Sequence, residues 1–109
     1  YIDTLKIKNV NNFNIEFCTT LIYFYGKSHN LELAKKVFND VVSKDAGCVA
    51  AMMDSFIENN EDINAIKLFE SFGEETDQIL NLLYVNACRN TENWDKGCRL
   101  IDRLDVKFV

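Results

Sequence analysis

The chain repeats itself every 31 residues. Leu21-Ile22-Tyr23-Phe24-Tyr25 aligns with Met52-Met53-Asp54-Ser55-Phe56, and Ala34-Lys35-Lys36-Val37-Phe38 aligns with Ala65-Ile66-Lys67-Leu68-Phe69. A third, weaker copy places Leu83-Tyr84 under the first block. After one extra residue it places Gly97-Cys98-Arg99-Leu100-Ile101 under the second. A period in the thirties belongs to stacked supersecondary units, none of which buries its apolar face alone. The expected fold is therefore all-α: a right-handed α-solenoid of stacked antiparallel helix-turn-helix repeats. Function is expected on a surface that several units share, not in one catalytic pocket.

The 109 residues can enclose one continuous core. The reading is one segment of a larger array. Residues 1–14 close a preceding repeat, 15–45 and 46–76 are two repeats, and 77–109 is a longer variant present whole or in part. The chain has no proline, so its turns rely on Gly, Asn and Asp. Helical periodicity predicts helices over 16–27, 31–43, 47–59, 62–72, 78–89 and 94–104. The expected inward residues of the first are Phe17, Leu21, Phe24 and Tyr25. In the second they are Leu31, Ala34, Val37, Phe38 and Val41. Val49, Met52, Met53 and Phe56 follow, and then Ile63, Ala65, Ile66, Leu68, Phe69 and Phe72. Ile79, Leu80, Leu82, Leu83 and Ala87 belong to the fifth helix; Trp94, Gly97, Leu100, Ile101 and Leu104 belong to the last. Gly73 is read as a helix stop, and Thr76 or Asp77 as the cap that follows it.

Several function classes are disfavoured. The net charge is −5, from 17 acidic and 12 basic side chains, whereas nucleic-acid binders usually present a basic face. Segregation of charge could still supply one. Cys18, Cys48, Cys88 and Cys98 form no C-x-x-C pair and lie in apolar helical patterns, so each is read as a buried free thiol. Reduced thiols fit the cytosol, nucleus or an organelle matrix. The one histidine, His29, lies in a turn, and no Gly-rich phosphate loop or metal-ligand cluster is present. The reading is no enzyme, no cofactor, no small-molecule substrate and no membrane span.

The stretch Thr19-Thr20-Leu21-Ile22-Tyr23-Phe24-Tyr25-Gly26-Lys27, followed by Leu31-Glu32-Leu33-Ala34-Lys35-Lys36-Val37-Phe38, resembles the short variant of the pentatricopeptide repeat. Ala51 to Phe56 with Asp62 to Phe69 matches it again. Leu83 to Cys88 with Asp95 to Ile101 is similar to the long variant. Tetratricopeptide repeats share the helical unit, but their usual period is about 34 and their Trp-Leu-Gly-Tyr pattern is missing.

The resemblance implies single-stranded RNA binding, one base per repeat, in an organelle RNA-processing or editing factor of the mitochondrial or another organelle matrix. It puts the base-reading slot on Thr19, Ala50 and Asn81, and a second contact at the unit boundary on Asp45 and Thr76. Phosphate-contacting cations would be Lys27 and Arg89, with Glu58 in that slot in the middle unit. The base-sandwiching slot, usually aliphatic, falls on Glu16, Gly47 and Gln78. Ala50 cannot hydrogen-bond a base edge, and Glu16 repels phosphate. The alternative is a protein–protein interaction scaffold, tetratricopeptide-like, with an acidic groove.

Overall fold

The computed structural model describes residues 14–72 and 77–104, an elongated body of 51 × 24 × 22 Å. Among the described residues there are six helices and no strand: α1 (Ile15–Lys27), α2 (Leu31–Asp40), α3 (Ala46–Glu58), α4 (Asp62–Phe72), α5 (Gln78–Asn90) and α6 (Trp94–Leu104). They form three helix pairs. The first helix of each pair packs on the next first helix, α1 on α3 and α3 on α5. This is an all-α solenoid of helical repeats. None of the helices is long and apolar enough to cross a membrane. The expected preceding helix in residues 1–13, the stop at Gly73, Thr76 and the tail 105–109 lie outside the described residues.

The same local chemistry starts each first helix. Asn14, Asp45 and Asp77 are its N-caps, and their side-chain oxygens accept the N–H of Phe17, Cys48 and Leu80 at 2.8, 2.8 and 2.9 Å. Each satisfies a donor that the helix cannot, a contribution of roughly 1 kcal/mol. The same turn also ends each one. His29, Asn60 and Glu92 sit in the left-handed region at φ 62°, 63° and 61°. The next residue then donates its N–H five positions back, Asn30 to Tyr25, Glu61 to Phe56 and Asn93 to Cys88, at 2.8, 2.7 and 2.8 Å. This is the Schellman closure, which usually has glycine at the left-handed position.

These markers correct the register of the third copy. The caps step from 14 to 45 to 77 and the left-handed residues from 29 to 60 to 92, so the second step is 32 throughout. The extra residue therefore lies before Asp77, between α4 and α5, and not in the turn that follows α5.

The helix boundaries agree with the periodicity except in α2, which ends three residues early. Val41 turns extended at ψ 122°. The Lys44 ammonium caps that end, donating to the Val41 carbonyl at 2.7 Å and lying 5.0 Å from the centre of the Phe38 ring.

The inward face of α1 also differs from expectation. Cys18, Ile22, Tyr25 and Gly26 are buried, while Phe17 and Phe24 are 45% and 62% exposed. One period later these two slots hold Cys48 and Ser55, which are buried against α1. Phe17 and Phe24 thus face away from α3. Ile63, Ile79, Leu82, Trp94 and Leu104 were likewise expected inward and are exposed. Cys98 is exposed, unlike the other three thiols, because its position on α6 turns outward from the Leu100 face.

α1 and α3 approach closely. Ser55, 1% exposed, donates to the Ile22 carbonyl of α1 at 3.1 Å and also lies 2.9 Å from its own helix's Ala51 carbonyl. Asn59 donates to the Gly26 carbonyl at 3.0 Å. A Cβ on Gly26 would sit 2.6 Å from Ser55 Cβ and 2.9 Å from its Cα, so only glycine fits.

Two stability predictions follow from these contacts. Gly26→Ala should destabilise the fold by about 1–2 kcal/mol in denaturant unfolding, overpacking outweighing the gain in helix propensity. Gly47→Ala, whose new Cβ would meet only Asp45 Oδ1 at 3.6 Å, should not lower stability, and equal effects at the two sites would refute the packing argument. Glu92→Gly should raise the unfolding midpoint, with a gain in stability of up to about 1 kcal/mol, because glycine occupies the left-handed region without a Cβ penalty. A lowered midpoint would mean that the Glu92 side chain outweighs the backbone strain.

Candidate nucleic-acid interface

The side-by-side first helices carry the residues singled out from sequence. Thr19 is half-buried on α1, and Ala50, its equivalent on α3, is 3% exposed. Asp45 is exposed, but one carboxylate oxygen is committed to capping α3. Asn81 is half-buried on α5, and its Oδ1 is fully enclosed without a hydrogen-bond partner among the described residues. With the 32-residue step, the α5 equivalent of Thr19 and Ala50 is Leu82, 59% exposed. The equivalent of Glu16 and Gly47 becomes Ile79, which is aliphatic and 57% exposed. The third position of the Lys27–Glu58 series becomes Asn90, which donates to Asp62 at 2.9 Å. Arg89, one residue earlier, is exposed near the end of α5.

Lys27 is brought together with two carboxylates of α3. Its Nζ donates to Glu58 Oε1 at 3.0 Å and lies 3.5 Å from Asp54 Oδ2. The hydrogen bond to Glu58 and then the charge of Asp54 lift the ammonium pKa above its ordinary 10.5. Tyr23 on the same face is also raised, by burial first and by Asp54 second. The cation slot of one helix is thus filled by the acidic side chains of the next. Sequence held a signal for this: Lys27 and Glu58 are opposite charges one period apart. The middle of the face, with Gly47, Ala50, Asp54 and Glu58, presents carboxylate and backbone without a basic group of its own.

The chain is 30% identical over 94 residues to pentatricopeptide repeat-containing protein At1g04840 of Arabidopsis thaliana, a match covering 84% of this chain and 14% of that protein. It is 27% identical over 99 residues to pentatricopeptide repeat-containing protein ELI1, chloroplastic, of the same organism, covering 87% of this chain and 16% of that one. A third relative, pentatricopeptide repeat-containing protein At3g14330, is 24% identical over 105 residues. The chain is of the pentatricopeptide-repeat type. This pentatricopeptide segment spans about a seventh of the length of the curated relatives it matches. No family model matches it. No solved structure matches it.

The pentatricopeptide segment holds a second polar knot, between α4, α5 and α6. Glu70 accepts from the Tyr84 hydroxyl at 3.0 Å and from Lys96 at 2.9 Å, while the Phe69 and Tyr84 rings stack at 4.2 Å. The bond to Lys96 holds the Glu70 carboxyl below its ordinary 4.5, and burial with the Glu70 bond raises the Tyr84 phenol. A depressed carboxylate stabilises the fold fully above its unfolded pKa, and that contribution is lost as pH falls through its folded value. Lys96→Gln should move Glu70's titration, followed by NMR, up toward 4.5 and weaken the fall of stability on acidification. An unmoved titration would assign the shift to Tyr84 instead.

Proposed function

We propose that these repeats bind single-stranded RNA along the first-helix face, as one segment of an organelle RNA-processing or editing factor. The pentatricopeptide likeness carries this reading, because such arrays take one base per helical repeat and read it with two or three side chains. Thr19 with Asp45 is the most complete reading pair, a hydroxyl and a carboxylate at adjoining helix starts, and it would favour a purine. Ala50 supplies no donor or acceptor. In the third unit Asn81 stays the proposed reader through its amide N–H groups, since its oxygen is enclosed, with Ile79 as the flat aliphatic neighbour. With the 32-residue step the boundary slot passes from Thr76 to Asp77, the cap of α5. Arg89 is the exposed cation for phosphate, and Lys27 becomes one only on leaving Glu58. The name of one relative, ELI1, chloroplastic, supports an organelle matrix as the location. Among the described residues there is no catalytic constellation, and any chemistry on the RNA would belong to another domain or partner.

The clamp on Lys27 favours a second reading, a scaffold whose acidic strip of Asp54 and Glu58 takes a basic protein partner. A pool of short single-stranded RNAs, titrated at two salt concentrations, separates the two. Under the RNA reading, binding is sequence-selective and weakens with salt, and Arg89→Glu lowers affinity. Glu58→Gln should tighten binding, since it leaves the Lys27 ammonium with Asp54 as its one carboxylate partner and removes a charge that repels phosphate. Absence of RNA binding by a folded full-length array would overturn the proposal in favour of the protein scaffold.

A further inference from the structure

The second helices carry a feature that the first-helix reading does not use. Between α2 and α4 lies an open groove of about 390 Å³, with Met52 and Phe56 of α3 at its floor and Lys35 and Lys67 among its lining. Between α4 and α6 lies another, of about 470 Å³, with Tyr84 of α5 and Leu100 at its floor and Lys96, Arg99 and Arg103 along one side. The two are copies. Stepping by 31 from α2 to α4 and by 32 elsewhere, Phe38 becomes Phe69, Met52 becomes Tyr84, Asn64 becomes Lys96, Lys67 becomes Arg99 and Ser71 becomes Arg103. Apolar floor and position recur with the repeat, and the rim keeps a cation at one matched place, Lys67 and Arg99.

We infer that this row of grooves is a docking track for an extended acidic peptide segment of a protein partner. Neighbouring grooves lie one second helix apart, a step of at least roughly 10 Å because successive second helices are not in close packing contact. That is about three residues or more of extended chain at ~3.3 Å each. The matching ligand places an apolar side chain in a groove and a carboxylate on its rim at that interval. Charge selects the acidic partner. Lys67, Arg99 and Arg103 are exposed and form no ion pair with another described residue, whereas Lys96 is already held by Glu70. Arg99 and Arg103 are one helical turn apart, so one carboxylate can accept from both guanidinium groups. Single-stranded RNA fits less well. Base stacking needs an open aromatic face, and Met52, Phe69 and Tyr84 are only 1%, 5% and 5% exposed. Glu70 and Asp102 also line the larger groove and repel a continuous polyanion.

The test is fluorescence anisotropy on the 109-residue chain with a labelled probe of four Glu-Leu-Gly triplets. The Lys-Leu-Gly peptide is the charge control, and a twelve-nucleotide oligouridylate is the competitor. The expected result is salt-sensitive binding of the acidic probe only, weakened at least about tenfold by the exposed double variant Arg99→Glu/Arg103→Glu and also reduced by Lys67→Glu. Unchanged circular dichroism of the variants would separate lost contacts from lost fold. Equal binding by wild type and variants, equal binding of the basic probe, or displacement of the acidic probe by oligouridylate would overturn the inference.

Discussion

Everything in this array hangs on how closely two first helices can approach. At Gly26 the backbone of α1 meets Ser55 of α3 with no room for a single methyl group. Two polar side chains, Ser55 of α3 and Asn59 at its C-cap, donate to carbonyls of α1 across that seam. A helix pair alone would leave one side of its first helix exposed. Stacking buries it, so α3, with neighbours on both sides, has Cys48, Val49, Ala51, Met52 and Met53 nearly inaccessible. The short side chains Ala51, Ser55 and Gly26 are the condition for that contact, since burial scales with how tightly surfaces interlock.

The two faces of the stack diverge in character because they are bounded by different helices. Along the first helices, carboxylates of one unit reach the cation of the previous one and neutralise it, leaving a surface poor in free positive charge. Along the second helices, cations stand beside apolar troughs, at one matched position in Lys67 and Arg99 and at further ones on α6. A chain with a net charge of −5 thereby keeps exposed guanidinium groups on one side only of α6. Segregation of this kind is invisible in the total charge, which is the quantity that argued against a nucleic-acid partner.

Much of this was legible in the residues, and the failures have physical causes. The six helices were readable because capping Asn and Asp, apolar spacing and the absence of proline agree with one another. The inward face of α1 was not, because hydrophobicity alone pointed to Phe17 and Phe24, whereas close packing selects the smaller Cys18 and Gly26. The third unit was aligned one residue out. Its apolar residues are dense enough to match at either 31 or 32, and only the caps and left-handed turns discriminate. That single residue moves the position equivalent to Thr19 from Asn81 to Leu82 and puts Ile79 where an aliphatic side chain was wanted. The pairing of Lys27 with Glu58 needed the distance between neighbouring helices, which periodicity does not supply.

The Lys27 contact with Asp54 and Glu58 is also mechanical. It is a tie between adjacent turns of a spring, made of charges in contact with solvent: Lys27 is 59% and Glu58 37% exposed. Mobile ions shorten the reach of such a tie, with a screening length of about 8 Å at physiological ionic strength. The buried Gly26–Ser55 seam feels no such screening. Salt therefore weakens one rim of the α1–α3 contact and leaves its interior unaffected, so the two edges of a single helix seam answer differently to the same solvent.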